Sequence, residues 1–135
     1  MISHEINVRV RYAETDQMAF VYYGNYATYF EVARVETFRM LGVSYKELEE
    51  AGTWMPVLEY KTKFLKPAKY DDNLRIVVKI TDKPRVRIRF EYEVYNERDE
   101  LLNVAETTLV FVDAKTEKPA LPPEFFQEKI NAHFR

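Results

Sequence analysis

Asp16 is the residue whose type and position could do chemistry. It stands in the stretch RYAETDQMAFVYYGNYATYFEVAR, Arg11 to Arg34. The stretch joins an alternating run that ends near Tyr12 to an aromatic-rich helical run that starts near Asn25. A carboxylate in an irregular connection just ahead of a helix lies beside backbone N–H groups that have no intrahelical acceptor and that favour negative charge. An acid or base next to such donors is what acyl transfer needs. The chain has no cysteine, so thiolate nucleophiles, disulfides and Cys-based metal sites are excluded. His4 and His133 stand at opposite ends of the sequence, which argues against a catalytic histidine or a histidine metal pair. Neither a metal nor another cofactor is expected.

The elements that must position Asp16 can be read from periodicity. Ile6, Val8, Val10 and Tyr12 alternate with Asn7, Arg9 and Arg11, which predicts a first strand over residues 4–12. Residues 13–24 have no clean period, and their apolar half, Met18 to Tyr23, reads as a buried functional loop. Asn25 is a plausible N-cap for a helix whose Tyr26, Tyr29, Phe30, Ala33, Thr37, Met40 and Leu41 fall at helical spacing before a Gly42 stop. That helix should run about 17 residues, roughly 25 Å. Its charged side carries Glu31, Arg34, Glu36 and Arg39, with Val32, Val35 and Phe38 widening the apolar arc. Ser44 and Glu47 form a capping box for a short helix reaching about Ala51, closed by Gly52.

Strands follow. Trp54 to Phe64 is extended, with Pro56 confining that end to an edge or an irregular start. Leu74 to Ile80 and Arg85 to Tyr95 alternate, the second most cleanly, and Leu101 to Val112 returns after a loop at 96–100. Pro122-Pro123 then opens a short helix with Phe125, Phe126 and Ile130. Strand, long helix, short helix and about four antiparallel strands make an α+β domain. One helix cannot cover both faces of such a sheet, and its edges need protection, so at least a dimer is predicted.

Composition narrows the function classes. At 135 residues the chain suits one domain. A net charge of −2 and a pI near 5.8 leave no basic stripe for a phosphate backbone, so nucleic acid is not an expected partner. The N-terminus alternates charged and apolar residues, unlike a signal peptide, and no apolar run approaches the ~18 residues of a membrane span. A cytoplasmic protein is the expectation.

Three segments carry a resemblance. Tyr12-Ala-Glu-Thr-Asp16 continues through apolar residues to Tyr22, Asn25-Tyr26, Tyr29-Phe30 and Ala33-Arg34. Phe64 to Asp72 and Ala105 to Asp113 are the second and third. Together they resemble the hotdog fold, a long helix wrapped by a curved antiparallel sheet of about five strands. More narrowly they resemble the 4-hydroxybenzoyl-CoA thioesterase family, in its branch of short acyl-CoA thioesterases linked to the Tol-Pal cell-envelope system. The resemblance covers nearly the whole chain, as a single domain over 1–135, and implies an acyl-CoA substrate and a homodimer or tetramer with the site at the subunit interface.

By this resemblance Asp16 would be the catalytic carboxylate, as nucleophile on the thioester carbonyl or as base for a water. Tyr23 would give its backbone N–H to the thioester oxygen, a donor typically worth about 3 kcal/mol in the transition state. Tyr23 stands where many members of the branch have histidine, which turns the reading away from a histidine-assisted mechanism. Ala19 stands where glycine is common, so a slightly different loop backbone is expected.

Around these two, Tyr22 and Tyr26 are placed near substrate by their position in the motif, whereas helix aromatics at this spacing are more often core. Thr15 could help by hydrogen bonding, although a threonine before a turn is more often structural. Asn25 is a cap first and a substrate contact second. Glu14 reads as solvated. Lys83, Arg85 and Arg87 lie at a hairpin and strand start where a hotdog dimer would offer cations to the phosphates of CoA; a solvated strand face is the plainer reading of each. Two other functions fit the same fold: a hydratase or dehydratase of acyl thioesters, whose active-site histidine the central motif here lacks, and a non-catalytic acyl-CoA-binding module.

Overall fold

A computed structural model describes residues 1–135. In chain order the elements are β1 (Ile2–Arg9), α1 (Asn25–Met40), α2 (Tyr45–Glu50), β2 (Thr53–Trp54), β3 (Val57–Phe64), β4 (Asn73–Ile80), β5 (Arg87–Tyr95), β6 (Leu101–Val110), β7 (Val112–Asp113), β8 (Lys118–Pro119) and α3 (Glu124–Asn131). Five strands form one antiparallel sheet in the order β1-β4-β5-β6-β3, and β2, β7 and β8 form a small second sheet. No helix is long and apolar enough to cross a membrane.

Alternation fixes which side of the large sheet meets α1. On β5, Ile88, Phe90, Tyr92 and Val94 are buried while Arg87, Arg89, Glu91, Glu93 and Tyr95 face outward. The inward set meets α1 through its aromatics: Phe30 stacks on Tyr92 with centroids 4.3 Å apart, and Phe38 lies 5.8 Å from Phe90. Fully burying side chains of this size contributes about 1.5–3 kcal/mol each, so this seam is a main source of stability. From α3, Phe126 packs edge-on against Phe38 at 5.3 Å and closes the C-terminal end of α1. There Gly42 takes a left-handed φ of 84°, and Lys129 donates to its carbonyl at 2.6 Å.

The outer face stays wet and is laced with ion pairs, among them Lys61 with Glu106, Lys79 with Glu93, and Arg89 with Glu106. A groove of about 520 Å³ on this face is lined largely by these paired side chains. β3 is an edge strand, and Val57, Leu58 and Phe64 on it are about half exposed.

Several expected boundaries move. β1 spans residues 2–9 rather than 4–12, because the backbone N–H of Arg11 turns to the Glu14 carboxylate at 2.8 Å and Tyr12–Glu14 becomes a 3₁₀ turn. β5 begins at Arg87 instead of Arg85, since the Arg85 N–H bonds back to the Arg87 carbonyl at 3.1 Å. β6 ends at Val110, and Val112 crosses to the small sheet to pair with Trp54 and Pro119.

On α1 the N-cap is Gly24, and Asn25 is the first helical residue with no capping hydrogen bond from its side chain. Arg34, expected on the charged side, is buried, whereas Met40 is exposed. Of the expected capping box of α2 only half forms: the Glu47 N–H donates to Ser44 Oγ at 3.1 Å, while the Glu47 carboxylate takes the Ser44 hydroxyl at 3.1 Å instead of its backbone N–H. The segment Met18–Tyr23 is not buried within the protomer: Val21 is, but Met18, Tyr22 and Tyr23 are exposed.

Candidate active site

The connection between β1 and α1 doubles back on itself. Asp16 and Phe20 are joined by the Asp16 N–H to the Phe20 carbonyl at 2.8 Å, and Thr15 bridges to Val21. The outer limb is fastened to the segment before β4: Val21 N–H donates to Ala68 O at 2.8 Å, and Tyr70 N–H to Ala19 O at 3.2 Å. At the tip Ala19 has φ 62°, in the left-handed region. Ala19 thus holds a conformation that glycine adopts freely, with alanine bearing the strain.

That tight tip orients Asp16. Its Oδ1 accepts the N–H of Met18 at 2.9 Å and of Phe20 at 3.2 Å, while Oδ2 has no hydrogen bond within the protein. One oxygen is thus pinned and the other left open. The half-buried carboxylate lines a cleft of about 300 Å³ whose other walls are mostly apolar, including Phe20, Tyr23 and Tyr26 from the loop and helix, and Phe64 and Leu65 from the end of β3. Lys66 also lines it, with its ammonium held by Glu100 at 2.7 Å. No histidine borders this cleft.

Tyr23 lies at the start of α1, just before the Gly24 cap. Its backbone N–H makes no hydrogen bond within the protein, and its ring is exposed, tilted against Tyr22 at 4.5 Å. Asp16 and Tyr23 line one cleft, and a free donor at a helix start together with a carboxylate oxygen left open are the groups that can polarise a carbonyl and deliver a nucleophile or a proton acceptor to it.

The remaining expected residues divide. Tyr26 lines the cleft but is buried, and burial pushes its hydroxyl up to about 12, so it stays protonated there. Tyr22 is exposed and outside the cleft lining. Thr15 turns its hydroxyl to the Tyr12 carbonyl at 2.8 Å, a turn role. Asn25 does not cap; its Nδ2 donates to the Glu14 carbonyl at 2.7 Å. Lys83 and Arg85 line a separate cleft of about 290 Å³ with Gln127 and Asn131 of α3, and Arg87 opens β5; none of the three borders the Asp16 cleft of the same protomer.

Glu14 departs most from the sequence reading. Only 9% exposed, it accepts from Arg11 N, Nη2 and Nε at 2.8, 2.9 and 3.3 Å and from the Tyr29 hydroxyl at 2.9 Å. Burial alone would raise its carboxyl, but the bonds from Arg11 and Tyr29 outweigh it and hold the group below its ordinary value. The only sequence signal was the three-residue spacing from Arg11. Phe64, Leu65 and Phe20 also belong to the cleft, and their apolar exposure appears only once β3 is known to be an edge.

Comparison with known proteins gives a consistent answer. Residues 10–130 match the sequence profile of the Thioesterase-like superfamily. The acyl-CoA thioester hydrolase YbgC of Escherichia coli O6:H1 is 34% identical over 122 residues, covering 90% of this chain and 91% of that protein. YneP of Bacillus subtilis (strain 168), for which an acyl-CoA thioesterase activity is proposed by name, is 34% identical over 112 residues, covering 83% and 81%. The crystal structure of a DHNA-CoA thioesterase from Staphylococcus aureus superposes with a TM-score of 0.91 at 34% identity, over 99% of this chain and 90% of that one.

Proposed function

Since the chain belongs to the Thioesterase-like superfamily, a hotdog-fold thioester hydrolase of the acyl-CoA thioesterase kind, we propose that Asp16 and the Tyr23 backbone N–H are its catalytic groups. The observation that carries this is that Asp16, with one pinned and one open carboxylate oxygen, and Tyr23, whose backbone N–H has no partner within the protein, line one largely apolar cleft. The thioester carbonyl would sit with its oxygen toward the Tyr23 N–H. Asp16 then adds to the carbonyl carbon, or takes a proton from a water that adds. Collapse breaks the C–S bond and expels CoA as a thiolate, which needs little acid help. In the nucleophilic route water then hydrolyses the acyl-aspartyl anhydride. Either way the products are the free acid and CoA, and no cofactor takes part.

We place the complete site where two copies meet. β4 runs from Asn73, next to the loop, to Ile80, about 26 Å for its length. Lys83 and Arg85 beyond its far end are thus too distant to serve the same protomer's Asp16. β3 is unpaired on its outer side, and a second β3 added antiparallel about a two-fold axis brings the Val57 end of one copy to the Phe64 end of the other. Arg87 pairs with Val110 at that Val57 end of the sheet, so the second copy would carry its cations toward the first copy's cleft, where they would meet the phosphates of CoA. Asn25 and Thr15 then support the loop, and Tyr26 forms part of the cleft wall that would meet the acyl group.

The reading carries with it a cytoplasmic setting and a functional link to the Tol-Pal system, testable by cell fractionation and by envelope-integrity assays on a deletion strain. The enzymatic assignment is tested by hydrolysis of acetyl-, medium-chain, palmitoyl- and benzoyl-CoA followed with a thiol-trapping dye. Saturable release of CoA from at least one is expected. Tight binding with no release from any would leave an acyl-CoA-binding module instead.

A further inference from the structure

Glu14 holds four parts of the site together. Its carboxylate receives the backbone and side chain of Arg11, two residues beyond the end of β1, and the hydroxyl of Tyr29, on the second turn of α1. Its own carbonyl receives Nδ2 of Asn25, the first helical residue, at 2.7 Å and the backbone N–H of Tyr22 at 2.9 Å. Asp16 follows two residues later, and Tyr23 follows Tyr22 directly. Both proposed catalytic groups therefore hang on short levers from one buried residue that itself faces neither the cleft nor solvent. A buried carboxylate is costly unless its acceptors are filled, and here Arg11, just beyond β1, and Tyr29 of α1 fill them.

Resting on the assignment of Asp16 and Tyr23, we propose that Glu14 is a positioning residue for thioester hydrolysis: by joining Arg11, Tyr29, Asn25 and the Tyr22 amide it fixes the distance between the Asp16 carboxylate and the Tyr23 N–H. Catalytic groups must be held to within about 0.5 Å, and a displacement of about 1 Å can cost roughly 10²-fold in rate. Loosening Glu14 thus acts on turnover and leaves the acyl and CoA contacts of the cleft in place.

The test uses Glu14→Ala, Glu14→Gln, Tyr29→Phe and Asp16→Asn in the full chain, with the best acyl-CoA of the panel, well below each variant's melting temperature. Glu14→Ala should lower kcat by about 10- to 100-fold with KM within twofold of wild type. Glu14→Gln keeps an oxygen for the Arg11 N–H and the Tyr29 hydroxyl and should restore most of that loss. A folded Glu14→Ala with kcat within twofold of wild type, or a Gln variant no better than Ala, overturns the proposal. Should Glu14→Ala not fold, Tyr29→Phe, which removes one hydroxyl from the same carboxylate, decides: kcat several-fold lower supports the role and unchanged kcat overturns it. An inactive Asp16→Asn beside an unaffected Glu14→Ala overturns the Glu14 role alone, whereas an active Asp16→Asn removes the catalytic assignment and this inference together.

Discussion

At the scale of single residues, the loop combines strain at Ala19 with charge burial at Glu14. Left-handed backbone costs an L-residue about 1–2 kcal/mol, partly offset by the lower entropy of an unfolded alanine. Ala19→Gly should therefore leave turnover intact and raise stability by up to about 1 kcal/mol, read as a higher urea midpoint at unchanged slope. Glu14 carries a pH signature. Its folded carboxyl lies below its ordinary value of 4.5, so the folded state binds this proton less readily than the unfolded chain does. Its contribution is therefore fully present above about 4.5 and is lost as the pH falls through the lower, folded value. Denaturant titrations from pH 6 to pH 3 should show wild type losing this increment, while Glu14→Gln, which has no proton to gain, shows a shallower decline; parallel curves would contradict it. The place of Asp16 in the connection before α1 was legible from the sequence because its motif is local, Tyr12 to Asp16 ahead of a helix. Glu14 was not, because its burial depends on Tyr29, fifteen residues away, folding over it.

At the scale of elements, the α1–β5 seam contains one feature that the sequence reading placed on the wrong side. Arg34, 6% exposed, points inward: Nη1 donates to the Tyr92 hydroxyl at 3.1 Å, that hydroxyl lies 2.6 Å from Thr107 Oγ1, and the guanidinium is 6.0 Å from the Phe90 ring centroid. Helical spacing puts Arg34 four residues after Phe30, on the same side of the helix, so its expected place on the charged side rested on residue type and not on position. Tyr92→Phe removes the acceptor from a buried cation and should destabilise by about 1–3 kcal/mol by denaturant titration. Phe30→Ala, at a fully buried ring stacked on Tyr92, should cost about 3–5 kcal/mol. A loss under 1 kcal/mol in either would mean this seam packs differently. The strands themselves were legible because β5 alternates over its full length. Their ends were not, since β1, β5 and β6 each stop where a backbone group finds a partner outside its ladder.

At the scale of the whole molecule, the unpaired β3 edge, half-exposed Val57, Leu58 and Phe64, and a loop with exposed Met18, Tyr22 and Tyr23 are the surfaces that the proposed two-fold assembly would cover. Light scattering behind size exclusion should give a dimer or tetramer at micromolar concentration; a monomer alone would contradict the proposed assembly. The expectation of self-association came from one helix facing a curved antiparallel sheet, whereas the exposed β3 edge was not legible, because it depends on strand order. Reversing charge at Lys83 and Arg85 should raise KM for acyl-CoA about tenfold with kcat little changed, and an unchanged KM would remove both from the site. The most direct test of the whole account is turnover by Asp16→Asn, a substitution that preserves size and the Oδ1 acceptor. With the fold and oligomeric state unchanged, kcat should fall by roughly 10²- to 10⁴-fold; hydrolysis at close to the wild-type rate would contradict the account.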